Sequence, residues 1–72
     1  MNQVGDTVVI TAHLHKDLIG LRGKVVLVIY GGYVGVRLEA PYPFKYYTSD
    51  GIAICLNNEI EVVKPSPPII SI

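Results

Sequence analysis

The sequence predicts an all-β fold, a small five-stranded barrel, and three observations carry that prediction. Val, Ile and Tyr dominate in short runs broken by Gly, Pro, Asn and Asp, and few segments keep a helical period. A chain of 72 residues leaves room for one domain. Five short strands with no helix to cover them bury their apolar faces only by closing or folding over on themselves. The expected organisation is a single barrel domain over residues 1–64 and a Pro-rich, extended C-terminal tail over 65–72.

Each element follows from local chemistry. Val4-Gly5-Asp6-Thr7 reads as a turn that delivers the chain into a first strand over residues 7–13. Residues 14–23 form a loop, with Gly20 and Gly23 around Leu21 and Arg22. A second strand over 24–30 is apolar on both faces, as suits a strand curling through a small barrel. Gly31-Gly32 supplies the positive φ angles of a tight hairpin. Beyond it, Val34, Val36 and Leu38 alternate with Tyr33, Gly35, Arg37 and Glu39, so the third strand has one buried and one wet face. The hairpin makes strands two and three antiparallel neighbours. Pro41 and Pro43 bar regular pairing over much of 40–51, and Ser49-Asp50-Gly51 turns the chain into a fourth strand over 52–56. Asn57-Asn58 is a short corner, with room for one 3₁₀ turn, before a fifth strand over 59–63.

Composition bounds the function classes. Half of the chain is hydrophobic and 17% charged, with six basic residues against six acidic ones. A disordered segment would be poor in apolar residues and rich in like charge. A domain living on phosphate backbones normally carries a clear basic excess. The single cysteine excludes a disulfide framework and points to a reducing compartment. The longest uncharged run lies between Lys24 and Arg37 and is broken by Gly31, Gly32 and Gly35, well short of a membrane helix. With Asp6 close behind the N-terminus there is no secretory pattern. The expectation is a soluble, cytoplasmic domain. Its mean hydropathy of +0.42 is high for so small a chain, which predicts a partner, or a second copy, over an exposed apolar edge.

The order Gly5-Asp6-x-Val8-x-Ile10, then Leu21-x-Gly23-Lys24-Val25-x-x-Val28, Val34-x-Val36-x-Leu38-Glu39 and Ile60-x-Val62-Val63 resembles the small Src-homology-3-like barrels. Nearest among them are KOW-type motifs and the mini-barrels of electron-transfer complexes, such as the variable chain of ferredoxin–thioredoxin reductase. The likeness spans residues 4–63. It implies a five-stranded barrel and an accessory role in a larger complex, while such barrels host many unrelated tasks. The KOW likeness rests on Gly23 and its apolar neighbours, and departs at the uncharged Gly31-Gly32 hairpin. Plasmid-type dihydrofolate reductases are barrels of similar size, but their Val-Gln-Ile-Tyr stretch is missing here.

Reactive groups are few. His13 and His15 share one face if the first strand continues, and with Asp17 and Cys55 they supply metal-ligand types, but no Cys-x-x-Cys or His-x-x-x-His spacing supports a centre. They are expected to be surface histidines at the mouth of a loop. Cys55 lies within Ile52-Ala53-Ile54-Cys55-Leu56 without a neighbouring base and reads as an inert core thiol. Ser49-Asp50 is turn chemistry, and no phosphate-cradling loop is present. The chain is therefore expected to be no enzyme and to need no cofactor or metal.

Tyr42, Phe44, Tyr46 and Tyr47 are the informative cluster. Their rings bring large contact area at low entropy cost, and Src-homology-3-like barrels hold extended Pro-rich peptides in aromatic grooves. Capping one end of the barrel is the competing role, and the rings can divide the two roles among them. Tyr33 and Arg37 are expected to extend the patch, with Tyr30 beside the hairpin. Lys64-Pro65-x-x-Pro68 itself has the form of a ligand for such a groove, a possible route to self-association. The function expected is a non-catalytic protein- or peptide-binding module. The alternative is a KOW-type RNA- or ribosome-associated domain using Lys16, Arg22, Lys24 and Arg37 on phosphates.

Overall fold

The computed structural model describes residues 2–63. The Pro-rich tail over 65–72 and the Lys64-Pro65-x-x-Pro68 motif lie outside the described residues. Five strands form one antiparallel sheet: β1 (Thr7–Ile10), β2 (Arg22–Ile29), β3 (Tyr33–Leu38), β4 (Ile52–Leu56) and β5 (Ile60–Val62). Their order is β4-β3-β2-β1-β5. Three 3₁₀ turns, Lys16–Leu18, Tyr46–Thr48 and Asn57–Glu59, punctuate the connections.

The alternation in β3 sets the inside of the fold. Val34, Val36 and Leu38 are buried, as are their partners across the ladders, Val25, Ala53 and Cys55. Val8 and Ile10 of β1, Ile60 of β5 and Leu18 from the first 3₁₀ turn complete one core. With no helix layer over the sheet among the described residues, both outer strands reach this core because the sheet folds over on itself. Among the described residues it does not close, however: β4 and β5 are joined through Asn57–Glu59 but do not pair, so the expected closed barrel is corrected to a curled sheet with β4 and β5 as its outer strands. The 3₁₀ corner takes the residues that would otherwise carry a closing ladder.

A register shift between Val25 and Leu27 explains why β2 is apolar on both faces. Val26 is an extra residue, a β-bulge that exchanges the two faces of the strand. Before it, Gly23 and Val25 point inward; after it, Leu27 and Ile29 line up with the outward residues Gly35 and Tyr33. Gly31 and Gly32, with φ of +95° and +89°, turn the hairpin as expected.

The remaining differences are local. β1 ends at Ile10 instead of His13, although Thr11 and Ala12 still donate their N–H groups to the Glu59 carbonyl at 2.8 and 3.2 Å. Within the residue 40–51 connection, Thr48 is fully buried. Its Oγ1 donates to the Pro43 carbonyl at 2.7 Å and accepts the Lys45 N–H at 2.9 Å, pinning a segment that prolines keep out of the sheet.

Candidate functional site

The loop after β1 folds back toward the outer edge of β4, and His13 makes the junction. Its Nε2 lies 2.9 Å from the Ile54 carbonyl, while its Nδ1 lies 3.0 Å from the His15 N–H. An amide can only donate, so Nδ1 is the acceptor and Nε2 carries the proton. The β4 edge is also capped on either side: Asp50 Oδ1 accepts the Ile52 N–H at 3.0 Å and Glu59 Oε1 accepts the Leu56 N–H at 2.8 Å. Side chains thus occupy hydrogen-bonding groups that an incoming strand would otherwise meet.

The ring of His15 then stacks on Tyr47, with centroids 3.7 Å apart and planes 3° from parallel. Tyr46 stands edge-on to both rings, and His13 stacks on His15 with centroids 5.5 Å apart and planes 26° from parallel. The Tyr47 hydroxyl donates to the Asp17 carboxylate at 2.5 Å, tying the Tyr46–Thr48 turn to the Lys16–Leu18 turn. That bond favours the neutral phenol, and the nearby carboxylate adds repulsion against the phenolate, so the Tyr47 pKa rises to about 12. His13, His15, Leu18, Tyr47 and Ile54 line a half-open cleft of about 280 Å³. Its walls are aromatic and aliphatic, with both His13 ring nitrogens and the Tyr47 hydroxyl already engaged, a lining suited to apolar contact.

The four aromatic residues divide. Tyr42 and Tyr47 are half-buried and pack against the core. Phe44 and Tyr46 are 74% and 84% exposed. Tyr33 and Arg37 flank Gly35, which pairs with the cleft residue Ile54. They lie on the outward face of β3, and no ring contact or hydrogen bond among the described residues joins them to Tyr46 or Tyr47. Of the cations, Arg22, Lys24 and Arg37 share the outward face of β2 and β3, whereas Lys16 sits in the turn after β1.

His13 and His15 are half-buried in the loop after β1 and build the cleft wall. The one cue for this was the spacing of two between the rings. Cys55 is fully buried, and burial, with Glu59 nearby, pushes its thiol up to about 12. Asp17 is engaged by Tyr47, and among the described residues no three His, Cys, Asp or Glu side chains converge as a metal site. No described helix is long and apolar enough to cross a membrane. Comparison with known proteins found no matching family model, no matching curated protein and no matching solved structure.

Proposed function

We propose that this chain is a non-catalytic binding module that holds an extended, proline-containing peptide of a partner protein, as an accessory component of a larger complex. The observation that carries this reading is the His13–His15–Tyr47 stack with the exposed Tyr46 edge-on, and exposed Phe44 two residues before it in the chain. Proline rings pack well on flat aromatic faces, and a peptide already extended loses little entropy on docking. The single five-stranded antiparallel sheet curled about one core is compatible with the resemblance to Src-homology-3-like barrels, and an aromatic groove fits that resemblance.

A second reading, a KOW-type nucleic-acid domain, draws support from Arg22, Lys24 and Arg37 on one face. Calorimetric titration of the full chain with a synthetic Pro-x-x-Pro peptide, repeated across a salt series, separates the two. The peptide reading predicts binding that changes little with salt and weakens by about 1–2 kcal/mol, roughly tenfold, in each of Tyr46→Ala and Phe44→Ala. Both rings are exposed, so neither variant should disturb the fold. Absence of peptide binding, together with single-stranded RNA binding that falls steeply with salt, would replace the first reading by the second.

A further inference from the structure

We infer that the outward face of β2, β3 and β4, which adjoins the aromatic cleft only at Ile54, docks an acidic amphipathic helix of a protein partner. The register places three rows on this face. Ile29, Tyr33 and Leu56 form one; Leu27, Gly35 and Ile54 the next; Lys24, Arg37 and Ile52 the third. Gly35 leaves room for Leu27 to lie across it, since a Cβ there would come 2.8 Å from Leu27 Cγ. Leu27, Tyr33, Ile54 and Leu56 are between 37% and 47% exposed. That is a contiguous apolar surface on the outward face of a sheet, where polar residues are the rule.

Size and charge choose the occupant. Three neighbouring strands span about 10 Å, the diameter of one helix, and three rows run about 14 Å, roughly nine helical residues. At the far end Lys24 stands directly opposite Arg37, with Arg22 two residues before it on the same face. Opposed like charges are unfavourable in a ladder unless an anion lies between them. Carboxylates at one end of the helix supply that anion while its apolar stripe covers the other two rows. The chain has no net charge, and the Glu39 N–H donates to the Arg22 carbonyl, which sets an acidic residue across from Arg22 at the end of this basic row; both disfavour a broad anionic surface such as a membrane or a nucleic acid.

The test is a nuclear magnetic resonance titration of the full chain with a designed helical peptide carrying a leucine stripe that ends in glutamates. A counterpart with lysines in their place is the control. Amide shifts at Leu27, Tyr33 and Gly35, with roughly tenfold preference for the glutamate peptide, are expected. In Lys24→Glu with Arg37→Glu the preference should reverse, and gained binding to the lysine peptide shows that the variant is folded. Tyr46→Ala should leave helix binding unchanged. Equal binding of both peptides, or no binding, overturns the proposal. So does binding lost in Tyr46→Ala, which would put the helix in the cleft and leave the peptide reading intact. Capture by phosphatidylserine vesicles or single-stranded RNA without helix binding overturns it as well. Conversely, helix binding without Pro-x-x-Pro binding would remove the cleft reading and keep this one.

Discussion

Thr48 and Tyr47 sit side by side in the chain and do different work. Thr48 satisfies one carbonyl and one amide inside the fold, and both lose their partner if its hydroxyl is removed. Thr48→Val keeps the shape, so thermal denaturation should report a loss of about 1–3 kcal/mol from those two groups alone. Nothing in Thr-Ser-Asp-Gly announces a buried hydroxyl, because its partners are backbone groups that no side-chain pattern encodes. Tyr47 is legible as an aromatic contact, but its stack on His15 joins residues 32 positions apart and needs the fold. Its hydrogen bond to Asp17 has a measurable sign. The phenol's folded pKa is raised, so the stabilisation is fully present below about pH 10 and is lost as pH climbs through about 12. Ultraviolet titration should show one tyrosine ionising well after the others, and Asp17→Ala should return it to the ordinary range. A Tyr47 that titrates with the rest would contradict the bond.

Among the elements, β3 and the Gly31-Gly32 hairpin were the most legible, since alternation and turn chemistry are both local. β4 has the predicted bounds, and the Asn57–Glu59 corner is the expected 3₁₀ turn. β2 was only half legible: its two-sided apolarity was visible, but the bulge at Val26 that produces it depends on the register of its neighbour. The two β2–β3 glycines also differ in kind. A Cβ on Gly23 would stand 2.4 Å from the Arg37 carbonyl oxygen, a backbone atom that cannot yield without breaking the ladder. A Cβ on Gly35 meets the side chain of Leu27, which is exposed and can swing away. Gly23→Ala should therefore destabilise by about 3 kcal/mol or more and Gly35→Ala by about 1 kcal/mol, measured by urea denaturation. Equal losses would place the tight approach elsewhere.

At the scale of the molecule, the chain builds a core from one sheet by curling it, and its 72 residues leave apolar surface outside that core. The all-β class and the excess hydropathy were legible. The failure of β4 to pair with β5 was not, because closure is decided by how the 3₁₀ corner directs β5 against β1 instead of β4. Nor was the partition of Tyr42, Phe44, Tyr46 and Tyr47 into anchoring and exposed rings. The resulting cleft draws on the loop after β1, the Tyr46–Thr48 turn and the edge of β4, elements brought together only by folding. The most direct measurement is amide-shift mapping of the full chain on addition of a Pro-x-x-Pro peptide. Binding in the cleft predicts saturable shifts confined to His13, His15, Leu18, Phe44, Tyr46, Tyr47 and Ile54. No shifts there at millimolar peptide, or turnover of a small molecule by the purified chain, would contradict it.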